Sequence, residues 1–157
     1  MNAAAPGPAK AGTIVLVGCG QMGSAMLRGW LAGSAAAQFA VVEPAGLPAA
    51  FSGNPSISFC RTAAEIDGEP APDAVVFAVK PQIIDEVLPA YLRWAGPQTL
   101  FLSIAAGKTI AGLARHLGEA AIARVMPNTP ALVRKGASAY AAGASATERP
   151  RIGSERP

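Results

Sequence analysis

Residues 13–23 read Thr-Ile-Val-Leu-Val-Gly-Cys-Gly-Gln-Met-Gly, and this stretch decides the fold. Its first part, Thr13–Val17, is a continuous apolar run of the kind that forms a strand buried on both faces. Gly18, Gly20 and Gly23 follow with the spacing G-x-G-x-x-G, directly before a stretch with helical spacing. Glycines in this pattern, between a strand and a helix, predict a turn that binds a dinucleotide.

Each glycine has its own physical reason in such a turn. Gly18 lets the chain turn sharply off the strand, Gly20 removes a side chain that would block a diphosphate, and Gly23 lets the helix pack closely. The helix N-terminus offers N–H groups and a partial positive charge to the phosphates. We therefore assign cofactor binding to Gly18, Cys19, Gly20, Gln21, Met22 and Gly23. The alternative is a glycine-rich turn that binds nothing.

Short β-branched runs alternate with helical stretches along the rest of the chain. Strands are predicted at Thr13–Val17, Phe39–Glu43, Ile57–Cys60, Ala74–Val79, Thr99–Ile104, Ala121–Met126 and Ala137–Ala142. Helices are predicted at Ser24–Ala32 (stopped by Gly33), Leu47–Phe51, Ile83–Trp94 (broken at Pro89) and Ile110–Leu117 (capped by Thr109). This alternation predicts an α/β fold of Rossmann type, a doubly wound and mostly parallel sheet with helices on both faces.

A length of 157 residues corresponds to one domain. Residues 1–11 are small and rich in proline and glycine, so we interpret them as a flexible lead-in to a dinucleotide-binding domain over residues 12–142. Residues 143–157 are polar, and we expect them to form a disordered tail.

Composition argues against several classes of function. The net charge is +3 and Lys and Arg form no run, so we expect no nucleic-acid partner. No segment reaches the roughly 18 apolar residues of a membrane span. Two cysteines, Cys19 and Cys60, are too few for a disulfide framework or a zinc site, so we expect no metal and a soluble, cytoplasmic protein.

Glu43 bears on the choice of cofactor. It lies twenty residues past Gly23, at the end of the second predicted strand, where a carboxylate can accept hydrogen bonds from the ribose 2′-OH of NAD. No Arg or Lys lies between Glu43 and Cys60 to receive the 2′-phosphate of NADP, although Arg61 follows. This favours NADH without excluding NADPH. The alternative is a solvated acid at the end of a strand.

Three further candidates are weaker. Gly107-Lys108-Thr109 imitates the end of a P-loop, but Leu102 stands where that loop needs glycine. His116, the one histidine, is interpreted as a surface or packing residue. The helix dipole could lower the pKa of Cys19, but we favour a residue that only fills its position.

Four sequence blocks, taken together, resemble pyrroline-5-carboxylate reductases. In chain order they are Val17–Gly23, Ala78–Gln82, Ser103–Gly107 and Arg124–Ala131, the last continuing to Ser138. The resemblance extends from about Thr13 to Ala142. It implies the last step of proline biosynthesis, in which NAD(P)H delivers a hydride to the C=N carbon of 1-pyrroline-5-carboxylate.

The resemblance also implies where the cofactor lies. Ala78, Val79, Lys80 and Pro81 would line it, and the segments Ser103–Gly107 and Met126–Thr129 would border the nicotinamide. From these segments we take Ser103, Ala105, Ala106, Gly107 and Asn128 as cofactor-binding residues. All of them follow predicted parallel strands, where open sheets bind ligands. No catalytic residue is nominated.

The resemblance implies a C-terminal helical domain that forms the homodimer and contains much of the binding site for the imine. We do not recognise that domain in this sequence. Three interpretations therefore stay open. The chain is the cofactor domain of a pyrroline-5-carboxylate reductase, a nucleotide-binding fragment without catalysis, or another imine or carbonyl reductase of the same superfamily.

Overall fold

A computed structural model describes residues 11–66, 70–127 and 138–142. The strands are β1 Ala11–Val17, β2 Ala36–Val42, β3 Ile57–Cys60, β4 Ala74–Phe77, β5 Leu100–Ser103, β6 Ala121–Pro127 and β7 Ser138–Ala142. The helices are α1 Gln21–Gly33, α2 Ile84–Val87 and α3 Ile110–Leu117, with 3₁₀ turns at Ala49–Phe51, Ala63–Glu65 and Leu88–Trp94. The predicted tail, Asn128 and nearly all of the lead-in lie outside the described residues.

One sheet contains all seven described strands, in the order β3-β2-β1-β4-β5-β6-β7. Neighbouring strands from β3 to β6 are parallel, and β7 runs antiparallel to β6. This order, reversing between β1 and β4, is that of the Rossmann fold, which confirms the predicted class. Val17 is level with both Val42 and Phe77, so β1, β2 and β4 end at the same edge.

Alternate residues of the strands enter two separate hydrophobic cores, one on each face of the sheet. On one face Ile14, Leu16, Val41 and Val76 pack with Leu27 of α1. On the other Val15, Val75 and Phe77 pack with Tyr91 and with Leu113 of α3. The first face thus holds α1 against the sheet, and the second holds α2, α3 and the 3₁₀ turn between them.

Element ends differ from the predictions in three informative ways. Helix α1 begins at Gln21, inside the glycine pattern, and its left-handed terminal residue is Ser34 (φ 52°) rather than Gly33. The predicted helix Ile83–Trp94 is α-helical only to Val87, because Pro89 has no N–H for the α-helical ladder, and continues as 3₁₀ helix. None of the helices among the described residues is long and apolar enough to cross a bilayer.

Helix α3 matches its predicted bounds, and the Thr109 side chain caps it by accepting a hydrogen bond from Gly112 N at 3.0 Å. Thr109→Ala should lower the free energy of unfolding by about 1 kcal/mol, because it leaves that amide without its acceptor. Thr109→Ser, which keeps the hydroxyl, is the control. Urea unfolding measures both, and equal stability of the two variants would contradict the cap.

Candidate functional site

A crevice of about 380 Å³ lies at the edge of the sheet where strand order reverses. Its lining comes from the segments that follow β1, β4 and β5. These residues are Gly20, Gln21, Met22, Ala78, Val79, Lys80, Pro81, Ile104, Ala105 and Ala106. Ligands of open α/β sheets bind at this place, outside the carboxyl ends of the strands. Three segments that the sequence singled out separately are thus brought together.

Gly18 turns the chain off β1 in a conformation that requires glycine. Its φ is +90°, and its N–H donates to the carbonyl of Val42 at 2.8 Å. A Cβ at this position would lie 2.7 Å from the carbonyl oxygen of Ala78. The turn therefore presses against the backbone that follows β4, and any side chain would force the two segments apart.

Gly23 lies in the first turn of α1 and has a different constraint. A Cβ there would overlap the carbonyl oxygen of Gly18 and lie 3.3 Å from the Cβ of Ala78. Because the contact is with backbone, the helix could accept a side chain only by moving away from the turn. Glycine at this position lets α1 start directly above the end of β1.

Gly20 has no such internal reason to be glycine. It is the N-cap of α1, with φ at −73°, and a Cβ there would meet nothing within 4 Å. Gly20 is exposed and lines the crevice. No side chain caps this end of α1, and its first turn contains no acidic residue. A helix N-terminus left open in this way presents N–H donors and partial positive charge to an anion, so its geometry fits a diphosphate.

Glu43 follows β2, and both of its carboxylate oxygens accept backbone hydrogen bonds. Oε2 accepts from Cys19 N at 2.8 Å, and Oε1 accepts from Ala45 N at 3.1 Å. The half-buried carboxylate therefore ties the end of β2 to the glycine turn, a contact that the sequence did not predict. It also fixes a negative charge beside the turn, where an adenosine ribose would lie.

The side chain of Cys19 points away from the crevice into the core beneath α1. Its Sγ lies 3.5 Å from the Oγ of Ser24, which donates to the Cys19 carbonyl at 3.0 Å. Burial raises the pKa of the thiol, with a smaller opposing effect from the Ser24 contact. The pKa of this thiol is thus shifted upwards, opposite to the direction in which a helix dipole would act. Cys19 fills its position in the turn, as favoured above.

Ser103 and Gly107 shape the loop after β5 and do not line the crevice. The buried Ser103 Oγ accepts from Ala105 N at 3.1 Å, and Gly107 has a φ of +73°. Lys108 lies beyond them, and its Nζ is 2.7 Å from Asp85 Oδ2. The hydrogen bond from Lys108 lowers the pKa of Asp85. This lysine is thus paired with a carboxylate of α2.

A second concavity and the possible metal ligands among the described residues are weaker candidates for a functional site. A second concavity, of about 410 Å³, is lined by Ala95, Gly96, Pro97, Leu117, Glu119 and Ala120, next to the segments that lead into β5 and β6. It therefore lies at the amino-terminal edge, where open α/β sheets do not bind ligands. Nowhere in the described ranges do three His, Cys, Asp or Glu residues come together as metal ligands.

Comparison with known proteins identifies the protein family to which this chain is similar. Residues 13–107 match the model of the family described as "NADP oxidoreductase coenzyme F420-dependent". The pyrroline-5-carboxylate reductase of Pseudomonas aeruginosa is 38% identical over 134 residues, which cover 83% of this chain and 48% of the relative. The chain therefore spans about half the length of the curated relatives it matches.

Solved structures agree with this result. A pyrroline-5-carboxylate reductase from Coxiella burnetii has a TM-score of 0.75 and 26% identity, covering 86% of this chain and 51% of its own. The pyrroline carboxylate reductase of Plasmodium falciparum, solved with NADP bound, has a TM-score of 0.68 and 28% identity, covering 84% of this chain and 48% of its own. These relatives confirm the resemblance drawn from the four sequence blocks. Because the family match extends from β1 through the loop after β5, over more than half of the 157 residues, the chain belongs to that NADP oxidoreductase family.

Proposed function

We propose that this chain is the NAD(P)H-binding part of an enzyme that reduces 1-pyrroline-5-carboxylate to L-proline, the last step of proline biosynthesis. The observation that carries the proposal is Gly20, a glycine that the fold does not need, at an uncapped helix N-terminus that lines the crevice. The relatives named above support the substrate, since they are reductases of that imine.

The residues of the crevice suit the parts of a nicotinamide dinucleotide. The amides at the start of α1 would bind the diphosphate, and the carboxylate of Glu43 would accept hydrogen bonds from the hydroxyls of the adenosine ribose. Ala78–Pro81 and Ile104–Ala106 would border the nicotinamide with mostly apolar surface. In this assignment Ser103 and Gly107 act through the shape of the loop, and Asn128 stays a candidate from the resemblance.

A bound nicotinamide coenzyme would supply the hydride for the C=N carbon, while the imine nitrogen takes up a proton to give the secondary amine of proline. The role of this chain is to hold the two reactants in a fixed relative orientation, which by itself can remove much of the barrier of a two-reactant step. Val79, Ile104 and Ala105 would exclude water from one side of the reacting atoms. Lys80 is the titratable side chain among the described lining residues, and it is exposed. The described residues would therefore contribute to the reaction mainly by positioning the two reactants.

Because the relatives are about twice as long as the matched region, we propose that the cyclic imine carboxylate is bound jointly with the region that corresponds to the remainder of their length. We also propose a homodimer or higher oligomer through that region, as the resemblance to pyrroline-5-carboxylate reductases implies. A second candidate function is nucleotide binding without turnover, for which the crevice and the uncapped start of α1 would suffice. We also propose a cytoplasmic location, since a chain with two cysteines lacks the disulfide framework typical of an oxidising compartment.

Substrate-dependent oxidation of NADH distinguishes these two functions. A reductase should oxidise NADH or NADPH only when 1-pyrroline-5-carboxylate is added, and proline should form in equal amount. A chain that binds nucleotide in a titration yet forms no proline would have the second function. Failure to bind either nucleotide at millimolar concentration would contradict both.

The two glycines around the start of α1 provide a matched pair of variants. Gly20→Ser should leave the free energy of unfolding unchanged or slightly higher, because serine is a good N-cap, while the Kd for NADH rises about tenfold or more. Gly23→Ala should instead lower the free energy of unfolding by about 2 kcal/mol, since its Cβ overlaps backbone. Urea unfolding and calorimetric titration measure both effects. Unchanged NADH binding by a folded Gly20→Ser variant would contradict the proposed site.

Glu43→Gln tests the charge beside the turn. The amide keeps one acceptor oxygen but loses the charge, so stability should fall by about 1 kcal/mol. The ratio of NADPH to NADH affinity should rise about tenfold, because a carboxylate no longer repels the 2′-phosphate. Glu119→Gln, which removes an exposed charge near the opposite edge of the sheet, is the control. An unaltered affinity ratio in Glu43→Gln would show that this acid does not face the ribose.

A further inference from the structure

We propose that Arg61 is the residue that admits the 2′-phosphate of NADPH to this site, beside a carboxylate that favours NADH. The proposal rests on the proposed function, because it needs a dinucleotide whose adenosine end lies at the end of β2. It assigns to Arg61 a role in cofactor specificity and predicts that the site accepts both nucleotides.

The register of the sheet brings Arg61 to the adenosine side of the site. Strands β2 and β3 are parallel with Val42 level with Cys60, and the N–H of Glu43 donates to the Cys60 carbonyl at 3.0 Å. Glu43 and Arg61 therefore leave the sheet next to each other at its carboxyl edge. Eighteen positions separate them in the sequence, and the register of the parallel strands brings them together.

Two contacts direct the guanidinium of Arg61 towards the segment after β2. Its Nη1 donates to the carbonyl of Pro44 at 3.1 Å, and its Cζ lies 5.9 Å from the centre of the Phe59 ring. Both partners limit the range of the side chain without covering it, since Arg61 and Phe59 are exposed. A guanidinium has several N–H donors, so the bond to Pro44 leaves others for a phosphate.

The neighbouring carboxylate does not occupy those donors. Both oxygens of Glu43 accept backbone hydrogen bonds, from Cys19 and from Ala45. No ion pair between Glu43 and Arg61 occurs in the part of the chain that the structure describes. The edge therefore presents a fixed negative charge for ribose hydroxyls and, beside it, a guanidinium whose planar fork matches a phosphate.

Other cations near the crevice are less suited to this role. Lys80 follows β4, on the side of the crevice away from β3. Arg28, on α1, has its Cζ 5.6 Å from the centre of the Phe51 ring, where α1 packs against the sheet. Arg61, by contrast, donates a hydrogen bond to the carbonyl of Pro44, the residue directly after Glu43.

The test measures the Kd of the 157-residue chain for NADPH and for NADH by calorimetric titration. Arg61→Ala should raise the Kd for NADPH about tenfold and leave the Kd for NADH within about twofold. The Kd of Arg61→Lys for NADPH should lie between those of the wild type and of Arg61→Ala, because an ammonium keeps the charge but lacks the planar fork of donors. Adenosine 2′,5′-bisphosphate against adenosine 5′-monophosphate repeats the comparison with probes that differ only in the 2′-phosphate.

Arg115→Ala is the matched control, since it removes the same charge from an exposed position in the last turn of α3, near the opposite edge of the sheet. An equal loss of NADPH affinity in this control would reduce the effect to net charge and overturn the proposal. So would equal losses for both nucleotides in Arg61→Ala, no loss at all, or a wild-type chain that binds NADH alone. A wild-type chain that binds neither nucleotide would instead refute the proposed function itself.

Discussion

The close approach of the turn after β1 to the backbone after β4 is the constraint on which the site depends. Gly18 lies against the Ala78 carbonyl, and Gly23 lies against the carbonyl of Gly18, so that no Cβ fits at either glycine. This contact sets the start of α1 above the point where strand order reverses. The uncapped N-terminus of α1 therefore faces the crevice, and Gly20 lies in the crevice lining.

The end of β2 completes this arrangement through charge. The Glu43 carboxylate ties the turn to the second strand by accepting the Cys19 amide, which directs that amide away from any incoming phosphate. A diphosphate bound as proposed would therefore contact the amides at the start of α1. If the adenosine end of a dinucleotide lies here as proposed, the same carboxylate and the neighbouring Arg61 would set the preference between NADH and NADPH through their opposite charges.

The sequence predicted the parts of this fold whose signal is local. The glycine pattern, the apolar strands and the bounds of α3 follow from spacing and capping alone. The four blocks contain all the residues that line the crevice. Within the block after β5, however, Ser103 and Gly107 were assigned to the cofactor and Ile104 was not, whereas Ile104 lines the crevice and the other two do not. Contacts across the sheet could not be predicted, because they depend on register. The Glu43–Cys19 bond and the proximity of Arg61 to Pro44 appear only once β1, β2 and β3 are aligned. The change from α-helix to 3₁₀ helix after Val87 follows from Pro89, whereas the left-handed Ser34 was not predicted, because Gly33 was the expected helix stop.

The central claim is that backbone amides at the start of α1 bind a diphosphate. Amide chemical shifts, followed by NMR while NADH is added to the isotope-labelled chain, test it most directly. The account predicts saturable shifts at Gly20, Gln21, Met22 and Gly23, with little change in the amides of α3. Saturable shifts confined to the amino-terminal edge of the sheet, or none at millimolar NADH, would contradict it.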